Sequence, residues 1–121
     1  MIYNAYAIPG LRKSKDLDGE FKLSQKMQTD RIIDICCNHF GISFEQLVNK
    51  NRNKEYVSCR RFIIYFLRMN TSLTTTKIAA MLHPSISDHT TIVHHMKQVH
   101  DYIATKEHGF MYDFNTLNNQ I

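Results

Sequence analysis

Four glycines are scattered at positions 10, 19, 41 and 109, and no GxxxxGK[ST] string occurs. The chain therefore has no loop of the kind that cradles a nucleotide's phosphates. No apolar run approaches the roughly 20 residues a membrane span needs, because the 43% of apolar residues fall in short clusters between polar ones. Residues 1–10 hold no basic segment followed by an apolar stretch and a small-residue cleavage site, so a secretory leader is not expected and the cytoplasm is the default. Three cysteines cannot all pair, and the adjacent Cys36 and Cys37 have neither the CxxC spacing of a redox motif nor that of a zinc knuckle. They are read as reduced thiols packed in a core. No nucleophile and base, and no pair of carboxylates, stand at a spacing that suggests catalysis. The chain reads as a non-enzymatic protein without a cofactor.

What is present is positive charge, concentrated in mid-chain. From Lys50 to Lys77, seven cations oppose the single acid Glu55, a net +6 in 28 residues, while the whole chain carries +4. The segment 107–121 is net −2, with Glu107 and Asp113. A basic stretch of this density suits a polyanionic partner or, more simply, a solvated helix face.

The periodicities predict an all-α domain over residues 24–106, flanked by an arm (1–23) and a tail (107–121). Ile32, Ile33, Cys36, Cys37 and Phe40 recur at helical spacing before Gly41 and predict a helix that starts between Ser24 and Thr29. Ser43 with Gln46 forms a capping-box pattern opening a short helix to about Val48. The NKNRNK stretch of residues 49–54 has no apolar residue and predicts an exposed basic loop. Val57, Phe62, Ile63, Phe66 and Leu67 predict a longer, largely buried helix from Glu55 to Met69. Thr74 or Thr75 can cap a short helix that ends at His83-Pro84, since proline disfavours helical geometry in the residue before it. A last helix is predicted from Ser87 or Asp88 to about Lys106, with Ile92, Met96, Val99 and Ile103 as its apolar stripe.

A short helix, a turn and a second helix that opens with polar residues form the layout of a helix-turn-helix, whose second helix enters the DNA major groove. Asp88 can cap that helix or accept from a cytosine amino group. His89 can donate to a guanine or thymine acceptor, and the Thr90 methyl can pack on a thymine methyl. Thr91 and the first-turn amides suit a phosphate. Thr90, His94 and Lys97 lie opposite the apolar stripe. Metal binding is not expected, because His89/His94 and His95/His100 are five apart and miss the i, i+4 spacing of two ligands on one helical face.

The string Asp88-His89-Thr90-Thr91-Ile92-Val93-His94 resembles the DHTT motif that opens the recognition helix in the C-terminal DNA-binding domain of the bacterial replication initiator DnaA. The similarity extends back through IIDICCNHFGISFEQLVNKNRNKEYVSCRRFIIYFL and covers roughly residues 28–106. It departs at the turn, where the family's Gly-Gly-Arg is replaced by His83-Pro84-Ser85-Ile86-Ser87, about two residues longer. The resemblance implies a stand-alone binder of DnaA-box-like duplex DNA, acting as a monomer at the nucleoid in replication, transcription or a mobile element. It also implies a minor-groove arginine at Arg52 and a second DNA-contacting arginine at Arg60, with Asp88, His89 and Thr90 on base edges. Lys50, Lys54, Arg61, Lys77, Thr91, His94 and Lys97 are expected on phosphates, which position without specifying. The alternative from another class is a protein-interaction module on the same scaffold; a third reading is a piece of a larger nuclease or transposase.

Overall fold

The computed structural model describes residues 15–50, 52–86 and 88–121. Six helices occur among them: α1 Lys15–Phe40, α2 Phe44–Val48, α3 Lys54–Asn70, α4 Thr75–Met81, α5 His89–Thr105 and α6 His108–Gln120, with no strand. The part of the expected arm in residues 1–14 lies outside the described residues, as do Asn51 and Ser87.

Two boundaries differ from the sequence reading. The first helix begins at Lys15, well ahead of the expected Ser24–Thr29 start. Gly19 costs a helix interior about 1 kcal/mol relative to alanine and breaks the apolar pattern. Once the C-terminal half of α1 is packed, however, nucleation is already met and each added residue propagates at little cost. The second difference lies beyond residue 106, where the expected tail forms α6. Lys106 adopts the left-handed conformation (φ 54°) and lets the Glu107 amide reach back to the Tyr102 carbonyl at 3.2 Å. The Glu107 carboxylate then caps α6 by accepting from the Phe110 amide at 2.6 Å. The chain reverses within two residues and lays α6 back on α1 and α5.

α3 is the centre of the core, and its buried Phe62, Ile63, Ile64, Phe66 and Leu67 meet α1, α2, α4 and α5. Phe110 and Phe114 of α6 stack on Phe62 and Phe66, with ring centroids 4.9 and 5.7 Å apart. Arg31 of α1 caps the far end of α6 by donating to the Gln120 carbonyl at 2.7 Å, where a cation also meets the negative end of the helix dipole. His39 of α1 and Asp113 of α6 add a third tie at 2.9 Å. Cys36, Cys37 and Cys59 are buried free thiols; burial pushes Cys36 up to about 12, so that it stays protonated. Gly41 ends α1 with φ +68° while the Ile42 amide bonds the Cys37 carbonyl at 3.0 Å, a Schellman stop that favours glycine. Among the described residues no helix is long and apolar enough to cross a membrane.

Candidate nucleic-acid interface

α4, the Leu82–Ile86 turn and α5 form the helix-turn-helix. The Thr74 hydroxyl accepts from the Lys77 amide at 3.2 Å and starts α4. Leu82 and Ile86 bury their side chains on either side of the turn, 1% and 2% exposed, and the Ile86 amide bonds the Leu82 carbonyl at 3.1 Å. The extra length in the turn is thus held by two apolar anchors. The Ser85 amide also donates to the Val48 carbonyl at 3.0 Å, which brings the turn against the end of α2.

Asp88 caps α5, with Oδ1 accepting from the Thr91 amide at 3.1 Å and the Thr91 hydroxyl at 3.3 Å. Its other oxygen can face a ligand. Thr91 is half-buried and turned toward this cap, so its hydroxyl proton is used within the helix. Ile92 and Val99 are fully buried on one side of α5, while His89, Thr90, Val93, His94 and Lys97 are exposed. At 3.6 residues per turn those five side chains share one face. His94 contacts Gln98 at 3.2 Å along that face. Val93, 54% exposed in the middle of this otherwise polar stripe, was missed by the sequence reading. It falls outside the apolar stripe of Ile92, Met96, Val99 and Ile103, and its angular position beside Thr90 and Lys97 makes it an apolar contact surface of the kind a thymine methyl fits.

Where α4 and the start of α5 diverge, Thr76, Ala79, Ala80, His83, Asp88 and His89 line a shallow concavity. The two alanines leave the space, and four polar side chains surround it. Thr76 and His83 gave no signal in the sequence, because their neighbourhood depends on the angle between two helices.

The basic loop is exposed as expected at Lys50, Arg52 and Lys54, and so is Lys77 on α4. Arg60 and Arg61 depart from expectation. Arg60 is only 5% exposed. Its Nε donates to the Leu47 carbonyl at 2.9 Å and its Nη2 to the Asn49 carbonyl at 2.8 Å, so two donors of the arginine expected on a base are engaged by backbone within the protein. Burial lowers its pKa, yet a guanidinium stays charged in proteins. Arg61 turns its Nε toward His95 Nδ1 at 3.4 Å and sets its guanidinium over the Tyr102 ring at 5.5 Å. Arg61, expected on a phosphate, thus supports the back of α5 while half-buried.

His95 itself is 9% exposed beneath the recognition face. Burial, then the nearby charges of Arg61, His94 and Arg60, lower its pKa from 6.5 to about 4. It is neutral at pH 7, which leaves Nδ1 free to accept from Arg61. Among the described residues no group of three or more His, Cys, Asp or Glu is placed to hold a metal ion.

The family model described as the bacterial dnaA protein helix-turn-helix matches residues 29–99. Chromosomal replication initiator proteins DnaA are also similar to the chain. The protein from Chloroflexus aggregans is 30% identical over 84 residues, 69% of this chain and 17% of that protein. Those from Bacteroides fragilis and Campylobacter jejuni are 28% identical over 88 and 93 residues, covering 73% and 77% of this chain and 18% and 21% of theirs. The chain thus spans about a fifth of the length of these relatives. No solved structure matches it.

Proposed function

This chain belongs to the bacterial DnaA helix-turn-helix family, and from that premise we propose that it binds DnaA-box-like double-stranded DNA sequence-specifically, as a monomer and without nucleotide. The observation that carries this reading is the exposed stripe His89, Thr90, Val93, His94 and Lys97 on a helix whose N-terminus is capped and whose opposite face is buried. α5 is held by its apolar side and offers hydrogen-bonding groups on the other, as insertion into a major groove requires. Asp88, His89 and Thr90 read base edges, and Val93 adds apolar contact with a thymine methyl. Lys50, Lys54, Lys77 and Lys97 neutralise phosphates, with His94 beside them; Thr91, whose amide and hydroxyl both bond Asp88 Oδ1, joins them only by exchanging that cap for a phosphate oxygen. Arg52, exposed on a loop without apolar residues, enters the neighbouring minor groove. The protein acts by occupying its site at the nucleoid, whether to regulate replication initiation, transcription or a mobile element.

Selection from a random duplex pool tests the reading, with enrichment of one short motif as the expected result. On that motif His89→Ala and Thr90→Val should each cost about 1–3 kcal/mol and relax preference at one position. If folded variants bind preferred and scrambled duplexes as the parent does, α5 reads no sequence and a protein partner becomes the better account of the exposed face.

The loop makes a separate prediction. A narrow A·T-rich minor groove attracts arginine through its enhanced negative potential. Arg52→Ala is expected to weaken binding more on sites with an A·T-rich flank than on G·C-rich ones, in a direct comparison of dissociation constants. Equal losses on the two flanks would reduce Arg52 to a phosphate contact.

A further inference from the structure

The end of a helix leaves carbonyls that the helix cannot satisfy, and at the end of α2 three consecutive ones are taken up from two distant parts of the chain. Arg60 Nε bonds the Leu47 carbonyl at 2.9 Å and Arg60 Nη2 bonds that of Asn49 at 2.8 Å. Between them the Val48 carbonyl accepts from the Ser85 amide at 3.0 Å. Ser85 sits in the turn three residues ahead of the Asp88 cap, and Asn49 begins the basic loop. The start of α3, the base of the loop and the turn that feeds α5 therefore converge on three residues. A guanidinium is planar with fixed donor directions, so one arginine holds two carbonyls at a set spacing. Its stem is buried, with Cζ 6.0 Å from the Tyr56 ring centroid. The NKNRNK loop has no apolar side chain with which to pin itself by burial, so its placement depends on polar ties such as these.

We infer that Arg60 is a positioning residue that holds the basic loop in register with the recognition helix, placing Arg52 for its DNA contact while making none itself. The inference rests on the proposed duplex binding. It differs from a role for Arg60 on DNA because its effect runs through the loop, Arg52 foremost, and a double-mutant cycle separates the two.

The test measures equilibrium binding of the full chain to the selected duplex, with folding of each variant checked by urea unfolding. In the parent chain Arg52→Ala should weaken binding about 10-fold, within the span of a lost base contact. Arg60→Lys keeps the charge but loses the paired donors, and in that background Arg52→Ala should cost less than about 2-fold. Thr90→Val should cost the same factor in both backgrounds, which a general loosening of the fold would not give. Should Arg60→Lys unfold, Arg60→Gln, with a single donating amide, supplies the same cycle. Full and independent penalties for Arg52→Ala and the Arg60 variant would overturn the inference and return Arg60 to the DNA. A Thr90→Val loss with no Arg52→Ala loss in the parent also overturns it, and leaves the DNA reading standing. No loss from either substitution in the parent chain removes the DNA reading itself.

Discussion

Raising salt from about 50 to about 200 mM is expected to weaken duplex binding by about 150- to 500-fold. Lys50, Arg52, Lys54, Lys77 and Lys97 are all exposed, on the loop, on α4 and on the recognition helix. If four or five of them neutralise phosphates, the released counterions give a log-log slope of about −3.6 to −4.5. Lys77→Ala should make that slope shallower by about one unit and weaken all sequences alike, since a phosphate contact carries no sequence information. A titration series from low to high salt reads both quantities. A slope shallower than about −1 would mean that these side chains do not meet phosphates, and an apolar protein interface would then explain the exposed face better than a duplex does. Arg60 and Arg61 are left out of this count because one is buried on backbone carbonyls and the other faces His95 and Tyr102.

Acidification is expected to cost folding stability through His95, by about 3 kcal/mol between pH 7 and pH 4. The folded pKa is about 4, well below the ordinary 6.5. Below pH 6.5 the unfolded chain takes up a proton that the buried ring refuses, so the stabilisation is complete above 6.5, drains as pH falls and is gone near 4. The cause is first the burial of the ring between α3 and α5, then the positive charge of Arg61 at 3.4 Å, with His94 and Arg60 adding to it. Urea unfolding at several pH values should show a steeper loss for the parent than for His95→Gln, which keeps an acceptor for Arg61 and cannot titrate. Carboxylates titrate equally in both proteins, so the difference isolates His95. Superimposable pH profiles would show that the ring is protonated without penalty. Because His95 lies on the back of α5, its protonation bears on the helix that carries Thr90 and Lys97.

The two arginines show where local reading stops. Arg60 and Arg61 are adjacent in sequence and look alike as surface cations at the head of a helix, yet the first faces the end of α2 and the second the back of α5. A residue's direction on a helix follows from its position within the turn, but what lies in that direction is set by chain 11 to 34 residues away. Val93 shows the converse. Apolar by type, it lies off the stripe of Ile92 and Val99 that faces the core, so its place within the helical turn leaves it at the surface of α5.

By itself the sequence determined the helices from α2 to α5, the cap at Ser43, the caps of α4 and α5 as Thr74 or Thr75 and Ser87 or Asp88, and the polar opening of α5, each within a residue or two of where it lies. Those features depend on contacts three or four residues apart, so periodicity and capping chemistry hold the information. The all-α class and the DnaA-like helix-turn-helix followed from the same strings. Tertiary structure alone decided that residues 108–120 form a helix held by Phe110, Phe114 and Arg31. It also decided that Arg60 bonds the Leu47 and Asn49 carbonyls, that His95 is buried and neutral, and that a longer turn is fixed by Leu82, Ile86 and the Val48 carbonyl. In each of these the deciding partner is remote in sequence, and burial, with the desolvation that accompanies it, exists only once the helices have packed.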